Sequence, residues 1–295
     1  MIGIIGSSGF IGSKIKEIFS KENINNIGIY FNNHDGDISF EKFINSKYVE
    51  NIDVLVICAG NSTHTQIKEN FKNAVLKEVY YLYQLYENNF KGNLIFFSSA
   101  AVYDNYEGKV NEEKYIIPRN YYSYLKYLSE NFVIMMAFNK KLKAIIFRPT
   151  HVFGLNNRRK RLFDNLLEGI KYKQTVTIHC DSDFYINPIS VENVAKITLF
   201  FVKNNIFKNN YFFKNSYVEI FNLGSEENIS FFQLLNYLKS KYNLEYKIEK
   251  KEELCQNYKF IVDSSKIYNF LKNMGFYLTS TWRSIDTFFY ENLGL

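Results

Sequence analysis

Met1-Ile2-Gly3-Ile4-Ile5-Gly6-Ser7-Ser8-Gly9-Phe10-Ile11-Gly12 is the stretch on which the rest of the chain is read. The apolar run Ile2–Ile5 stops at a cluster of glycines, and an amphipathic pattern follows at once. This reads as a buried parallel strand that turns through glycines into a helix. Such a turn brings backbone N–H groups against a phosphate. Gly6 permits the tight turn, Gly9 lets the main chain approach a pyrophosphate, and Gly12 lets helix and strand pack closely. The helix N-terminus adds donors and a partial positive charge. Gly6, Ser8, Gly9, Phe10, Ile11 and Gly12 are therefore the expected dinucleotide contacts. Many helix-entry turns contain glycine; the strand before this one and the helix after it set it apart.

Outward from that turn, strand-like and helical stretches alternate. Residues 27–31, 54–58, 94–97 and 144–147 read as buried strands, with helices near 11–18, 71–86 and 122–138. Near-continuous apolar strands separated by helices predict a doubly wound α/β architecture, a parallel sheet covered on both faces. Ligands of such sheets bind outside the carboxyl ends of the strands. The glycine turn, Ala59-Gly60 and Ser98-Ser99 all fall at predicted strand ends, so Ala59 and Gly60 join the expected cofactor contacts. Beyond residue 155 the texture changes. Residues 156–161 form a basic, polar loop, and the remainder mixes short strands and helices, including 221–224 and 231–242. The Asn/Lys/Phe-rich stretch 203–215 reads as a surface loop or ragged helix end. The expected organisation is a dinucleotide-binding domain over 1–165, rejoined by a strand near 219–225. Residues 166–295 form mainly a smaller, interleaved α/β substrate-binding domain.

Composition limits the function classes. A hydrophobic content of 46% and a charged content of 22% suit a soluble globular chain. The formal charge of +6 suits an anionic small molecule. Nucleic acid is not an expected partner, because most aromatic residues fall in predicted strands and buried helix faces rather than between exposed basic ones. Cys58, Cys180 and Cys255 lack paired spacing, which argues against a disulfide framework and a zinc site. His34, His64, His151 and His179 form no metal-ligand motif, so no metal is expected. No segment reads as a signal peptide or a membrane span. A cytoplasmic location is the default expectation.

Tyr122-Ser123-Tyr124-Leu125-Lys126 places a phenol and an ammonium on one helix face. A free tyrosine titrates near 10, too high for acid–base work at neutral pH, and an adjacent ammonium favours the phenolate. A tuned tyrosine can move a proton at a carbonyl or alcohol oxygen. The spacing alone is weak, for it recurs at Tyr237/Lys241, Tyr246/Lys250 and Tyr268/Lys272. Tyr122 differs in its company: it follows Ser99, the serine that ends a buried strand, and precedes the next strand of the sheet.

These residues carry a resemblance. Gly6-x-x-Gly9-Phe10-Ile11-Gly12, Ser98-Ser99-Ala100-Ala101-Val102-Tyr103, Tyr122-x-x-x-Lys126 and Arg148-Pro149-Thr150-His151-Val152-Phe153-Gly154 stand in one order. That order and spacing resemble the extended short-chain dehydrogenase/reductases. More narrowly the chain resembles, along nearly its whole length, the NAD-dependent epimerase/dehydratase group that acts on nucleotide-sugars. Asp37-Ile38 resembles that group's adenine-contacting pair. The segments Asn187 to Ala195, Phe221 to Ser225 and Asp263 to Lys266 resemble its later motifs. The resemblance implies a Rossmann fold, NAD or NADP as cofactor and a nucleoside-diphosphate sugar as substrate. It implies that Ser99 binds the reacting sugar oxygen and that Tyr122 is the acid–base group. Lys126 would hold the nicotinamide ribose, and backbone at Pro149 would contact the nicotinamide. Relatives dimerise through helices that match 71–86 and 122–138 here, although packing within one chain explains those apolar faces equally well.

Departures from the pattern narrow the activity. Ala100 and Ala101 stand where sugar dehydratases of the group carry Asp-Glu, and two alanines have no proton to give. Reduction of a 4-keto-6-deoxy sugar nucleotide and 4-epimerisation remain, with the short chain favouring the reductase. A non-catalytic dinucleotide-binding protein is the alternative of another class. His151 replaces an asparagine that touches the sugar in many relatives; it reads equally as a ligand contact or as a core histidine. Asn61 is counted with the substrate residues. Cys180 beside His179 is an unpromising pair, since neighbours on a strand face opposite ways. Ile186 fills the slot of an arginine that grips the diphosphate. Arg158, Arg159 or Arg161 would replace it, guanidinium being suited to phosphate, unless the loop is merely solvated. Neither an acid nor an arginine marks NAD or NADP clearly in Asn32-Asn33-His34-Asp35. Biosynthetic reduction slightly favours NADPH.

Overall fold

The structure is a computed structural model. It describes residues 1–31, 37–60, 64–88, 90–155, 161–179, 183–208, 212–213, 216–249 and 260–295, with backbone alone for 64–66. Seven strands build the central sheet: β1 (Ile2–Ile5), β2 (Asn26–Tyr30), β3 (Ile38–Ser39), β4 (Val54–Ile57), β5 (Asn93–Phe97), β6 (Ala144–Pro149) and β7 (Val218–Leu223). They lie in the order β7-β6-β5-β4-β1-β2-β3, and every neighbouring pair is parallel. The chain winds one way from β1 through β3 and the other way from β4 onward. The crevice where such a sheet binds ligands therefore opens between β1 and β4.

The apolar runs are continuous because both faces of the sheet are buried. Ile4, Val56, Ile95 and Phe147 point into one core, while Ile5, Leu55, Leu94 and Ile146 point into the other. The first core is closed by α1 (Phe10–Lys21), and the second by α2 (Phe71–Glu87) and α3 (Tyr121–Lys140). Later in the chain come α4 (Leu162–Tyr172), α5 (Val191–Lys203), α6 (Phe231–Tyr242), α7 (Ser265–Asn273) and α8 (Thr281–Leu293). α5 and α7 return to the first core, where Phe201 and Phe270 pack on Phe221 of β7. A third core joins α4, α6 and α8 around Phe163, Leu235 and Phe289. Among the described residues no helix is long and apolar enough to cross a membrane.

The stretch 203–215 corrects its sequence reading. Ile206, Phe207 and Phe213 are buried in the first core, and Phe212 packs on Phe221 at 5.3 Å and on Phe270 at 4.5 Å. Polar composition suggested a surface loop; the aromatic residues fold inward under β7 because burying each is worth more than solvating the backbone around it.

Candidate active site

The first turn after β1 is shaped by contacts that leave no room for side chains. Gly6 has φ +80°, and a Cβ there would lie 2.8 Å from the backbone nitrogen of Ala59. A Cβ on Gly12 would collide with the carbonyl oxygen of Gly6. Gly9 caps α1 without a side-chain hydrogen bond, and no acidic residue stands in the first turn. The first-turn amides and the helix dipole are thus directed at whatever anion sits above the turn. Ser7 is buried with its hydroxyl unpartnered. Ser8, Phe10 and Ile11 flank the turn half-buried, and Ala59 and Gly60 follow β4 directly beside it. A close backbone cradle and a helix N-terminus with no acidic residue in its first turn fit the pyrophosphate of a dinucleotide.

Asp37 precedes β3 at the sheet edge, next to Ile38. One carboxylate oxygen pairs with Lys16 Nζ at 2.8 Å, and the other accepts the Gly28 N–H at 2.7 Å. Partial burial opposes ionisation, but the Gly28 N–H and the Lys16 ammonium outweigh it and hold the carboxyl below its usual range. Asp37 is therefore tied to β2 and α1, with only its remaining lone pairs open to a ligand. The residues 32–35 expected to discriminate the cofactor's ribose lie outside those described.

Ser99 and Tyr122 come together on one cavity of about 320 Å³. Ser99 ends the β5 segment, and its Oγ accepts the Ala101 N–H at 3.2 Å, capping a short 3₁₀ turn over Ala100–Tyr103. Tyr122 sits in the first turn of α3. Asn120 caps that helix through the Ser123 N–H at 3.0 Å, and Asp104 accepts the Arg119 and Asn120 N–H groups. The entry of α3, and with it the direction of Tyr122, is fixed by side chains of the preceding loop. Lys126 follows one turn later, buried, in an ion pair with Glu78 of α2. Burial alone would push its ammonium down; the Glu78 carboxylate, then Tyr122, raise it above the ordinary lysine value.

Pro149, Thr150 and His151 form another wall of the cavity. His151 Nδ1 is sealed from solvent without a partner, and burial, then the Arg161 charge, push the imidazole down to about 4. Arg161 lines the same cavity while its guanidinium lies over the Phe10 ring, 5.3 Å from the centroid. It thus spans the glycine turn and the cavity. Asn61, Arg158 and Arg159 lie outside the described residues, as does Cys180. Ile186 is buried in the third core. Sequence reading missed Phe163, Asp164, Tyr185 and Phe260, which also line the cavity; they come from distant segments and carry no local signal.

The other Tyr-x-x-x-Lys pairs lie elsewhere. Lys241 and Tyr237 share Asp286 between α6 and α8. Tyr268 donates to the Gly224 carbonyl, while Lys272 pairs with Glu226. Lys250 is outside the described residues.

Comparison with known proteins agrees with the fold. No curated protein sequence matches. Among solved structures, the chain is 19% identical to a UDP-glucuronic acid 4-epimerase from Bacillus cereus in complex with UDP-glucuronic acid and NAD. That match has a TM-score of 0.80 and covers 99% of this chain and 98% of that one. A UDP-glucose 4-epimerase from Brucella ovis in complex with NAD matches at 14% identity and TM-score 0.81, covering 100% and 98%. A UDP-N-acetylglucosamine 4-epimerase from Bacillus cereus matches at 19% identity and TM-score 0.71, covering 99% and 97%. At these identities the likeness is one of fold. Residues 2–224 match the family described as NAD dependent epimerase/dehydratase, a span that holds the glycine turn, Ser99, Tyr122 and Lys126. The chain belongs to the NAD dependent epimerase/dehydratase family.

Proposed function

We propose that this protein is an NAD-dependent 4-epimerase of a nucleoside-diphosphate sugar. The observation that carries the reading is the pairing of Ser99 and Tyr122 on one cavity beside the glycine turn, with Ala100 and Ala101 next in line. One phenol serves hydride chemistry at a carbinol carbon. Elimination of water or carbon dioxide needs a further acid or base, and these alanines cannot supply one.

In this reading the turn 6–12 holds the cofactor's pyrophosphate and Asp37-Ile38 its adenine. Residues up to about 165 carry the cofactor, and those beyond it supply most of the sugar site. Bound NAD supplies the hydride acceptor and donor. Ser99 Oγ binds the sugar O4. Tyr122 Oη takes the O4 proton as the C4 hydrogen leaves with its electron pair, and returns it after the sugar has turned over. Lys126 steadies the charge that develops on the phenol oxygen. Arg161 takes the substrate's diphosphate, and His151 lines the sugar end of the cavity as a neutral imidazole. The solved relatives' sugars differ at C2 and C5 substituents but share UDP, which supports UDP-hexoses as the first class to test.

A 4-ketoreductase is the second reading. It rested on the chain's compactness, and that argument weakens because the epimerases above are covered over 97–98% of their own lengths. The test is incubation of the purified protein with UDP-hexoses and no added cofactor, followed by NMR of the products. Interconversion of C4 epimers is expected. Consumption of NAD(P)H with a 4-keto sugar nucleotide, without epimerisation, would replace this reading with the reductase; neither activity would leave a non-catalytic binder.

A further inference from the structure

Glu78 is a charged residue where the pattern of α2 calls for an apolar one. It shares the buried face of that helix with Ala74, Tyr81, Leu82 and Leu85. Its carboxylate is 1% exposed and bonds the Lys126 ammonium, itself 6% exposed. Both groups lie against Gly60 at the tip of β4. A Cβ on Gly60 would overlap Lys126 Nζ and come within 2.9 Å of Glu78 Oε1. A buried carboxylate is costly unless paired, and a buried pair contributes little net stability compared with apolar packing. We propose that Glu78 is a positioning residue that holds Lys126 at the Gly60 end of the cofactor crevice, keeping the ammonium charged and aimed where the nicotinamide ribose binds. This deepens the proposed function and rests on its placement of the cofactor.

The surroundings isolate the pair. Tyr122 and Glu130 face Lys126 from its own helix, and Glu130 already holds Arg148 of β6 in a two-bonded pair at 2.9 and 2.7 Å. Tyr103, from the turn packed on α3, is also bound to Arg148. Tyr81 lies near Glu78, with Cys58 on Tyr81 in turn, and burial keeps both protonated. The short helix His64–Glu69 packs on α3 with Lys68 and Glu69 exposed. Glu78 is thus the main counter-ion of Lys126. Without it, desolvation favours the neutral amine.

The test is NADH binding by fluorescence from about pH 7 to about pH 9, with ADP as a control ligand that lacks the nicotinamide ribose. Wild-type affinity should be flat across this range. Glu78→Gln should lose NADH affinity progressively as pH rises, by roughly tenfold at the alkaline end, with ADP binding unchanged. A packing defect would instead give a pH-independent loss, or one shared with ADP, and would overturn the inference. Glu78→Asp keeps the charge but withdraws it by one methylene, so it should weaken NADH binding several-fold with no new pH slope. If Glu78→Gln does not fold, wild-type NADH affinity in Glu78→Asp is by itself enough to overturn the idea. Absence of NADH binding by the wild type would overturn the proposed function together with this inference; intact wild-type binding with both variants unchanged would overturn this inference alone.

Discussion

Tyr122–Lys126 and Tyr237–Lys241 share one spacing and differ in their third partner. Burial of the ring, then the Asp286 carboxylate against it, holds the Tyr237 phenol proton more tightly than usual. Lys241 is committed to the same carboxylate at 2.8 Å. That trio fastens α6 to α8 at the surface. At Tyr122 the acid, Glu78, pairs with the lysine and is not among the residues that line the phenol's cavity. Tyr122→Phe is therefore expected to lower kcat by about 10²–10⁴ with NADH affinity close to wild type, whereas Lys241→Met should leave kcat unchanged and alter stability by less than about 1 kcal/mol. Turnover assays and urea titrations check both. His151 gives a pH prediction of definite sign. Its folded-state value near 4 lies below the ordinary 6.5, so above pH 6.5 neither the folded nor the unfolded form binds the proton. As pH falls from 6.5 to 4 the unfolded chain takes up a proton that the folded one refuses, and stability drops by up to about 3 kcal/mol. His151→Asn should remove that part of the acid sensitivity, read as a smaller change in urea midpoint between neutral and mildly acidic buffer. Because His151 is neutral at physiological pH, the same variant should keep both limbs of the pH–rate profile.

Among elements, the β1–α1 unit was the most legible in the sequence, because its constraints are local. The strand, the turn and the start of the helix follow one another within twelve residues, and Gly9 and Gly12 answer to backbone of the same unit, while Gly6 answers to the neighbouring tip of β4 at Ala59. Gly12→Ala drives a methyl into the Gly6 carbonyl. It should cost about 1–3 kcal/mol and weaken NADH and ADP together, since both carry the pyrophosphate; calorimetry and fluorescence titration separate the two effects. The Ser99 turn and the α3 entry were legible for the same reason, being strand-end and helix-start signals. Glu78 was not, because its partner is 48 residues away and nothing in a Tyr- and Leu-rich helix marks a functional acid. The buried network of Arg148, Glu130, Tyr103 and Asn222 was equally silent, since it joins β6, α3, a 3₁₀ turn and β7, which only the folded sheet brings together. The inward folding of Ile206, Phe207, Phe212 and Phe213 was misread because composition was weighed over the positions of the apolar residues.

At the scale of the whole molecule, the two faces of the sheet are finished differently. α1, α5 and α7 cover one face. The other is covered by α2 and α3 together with the short helices Phe40–Ile44 and Tyr48–Asn51, and the outer surfaces of α2 and α3 carry exposed apolar residues. Leu76, Tyr80 and Tyr83 on α2 are 53%, 55% and 46% exposed; Tyr124 and Phe138 on α3 are 44% and 52% exposed. Single exposed apolar residues are ordinary, but a shared face of two adjacent helices is the kind of patch that marks an interface. The apolar character of these helices is thus only partly spent on packing within the chain, and a homodimer through a four-helix contact is the expected use of the rest. Sedimentation velocity at tens of micromolar should give a dimer, and Leu76→Glu with Tyr80→Glu should give a folded monomer; a monomeric wild type would remove the interface. The consequence reaches the site. Phe71 packs on Tyr121 at 5.0 Å and on Tyr124 at 6.2 Å, so the surface residues of α3 flank Tyr122 on either side. If the protomers are held through these helices, their separation should loosen the first turn of α3, and the monomeric variant should lose part of its kcat while ADP binding at the glycine turn after β1 holds.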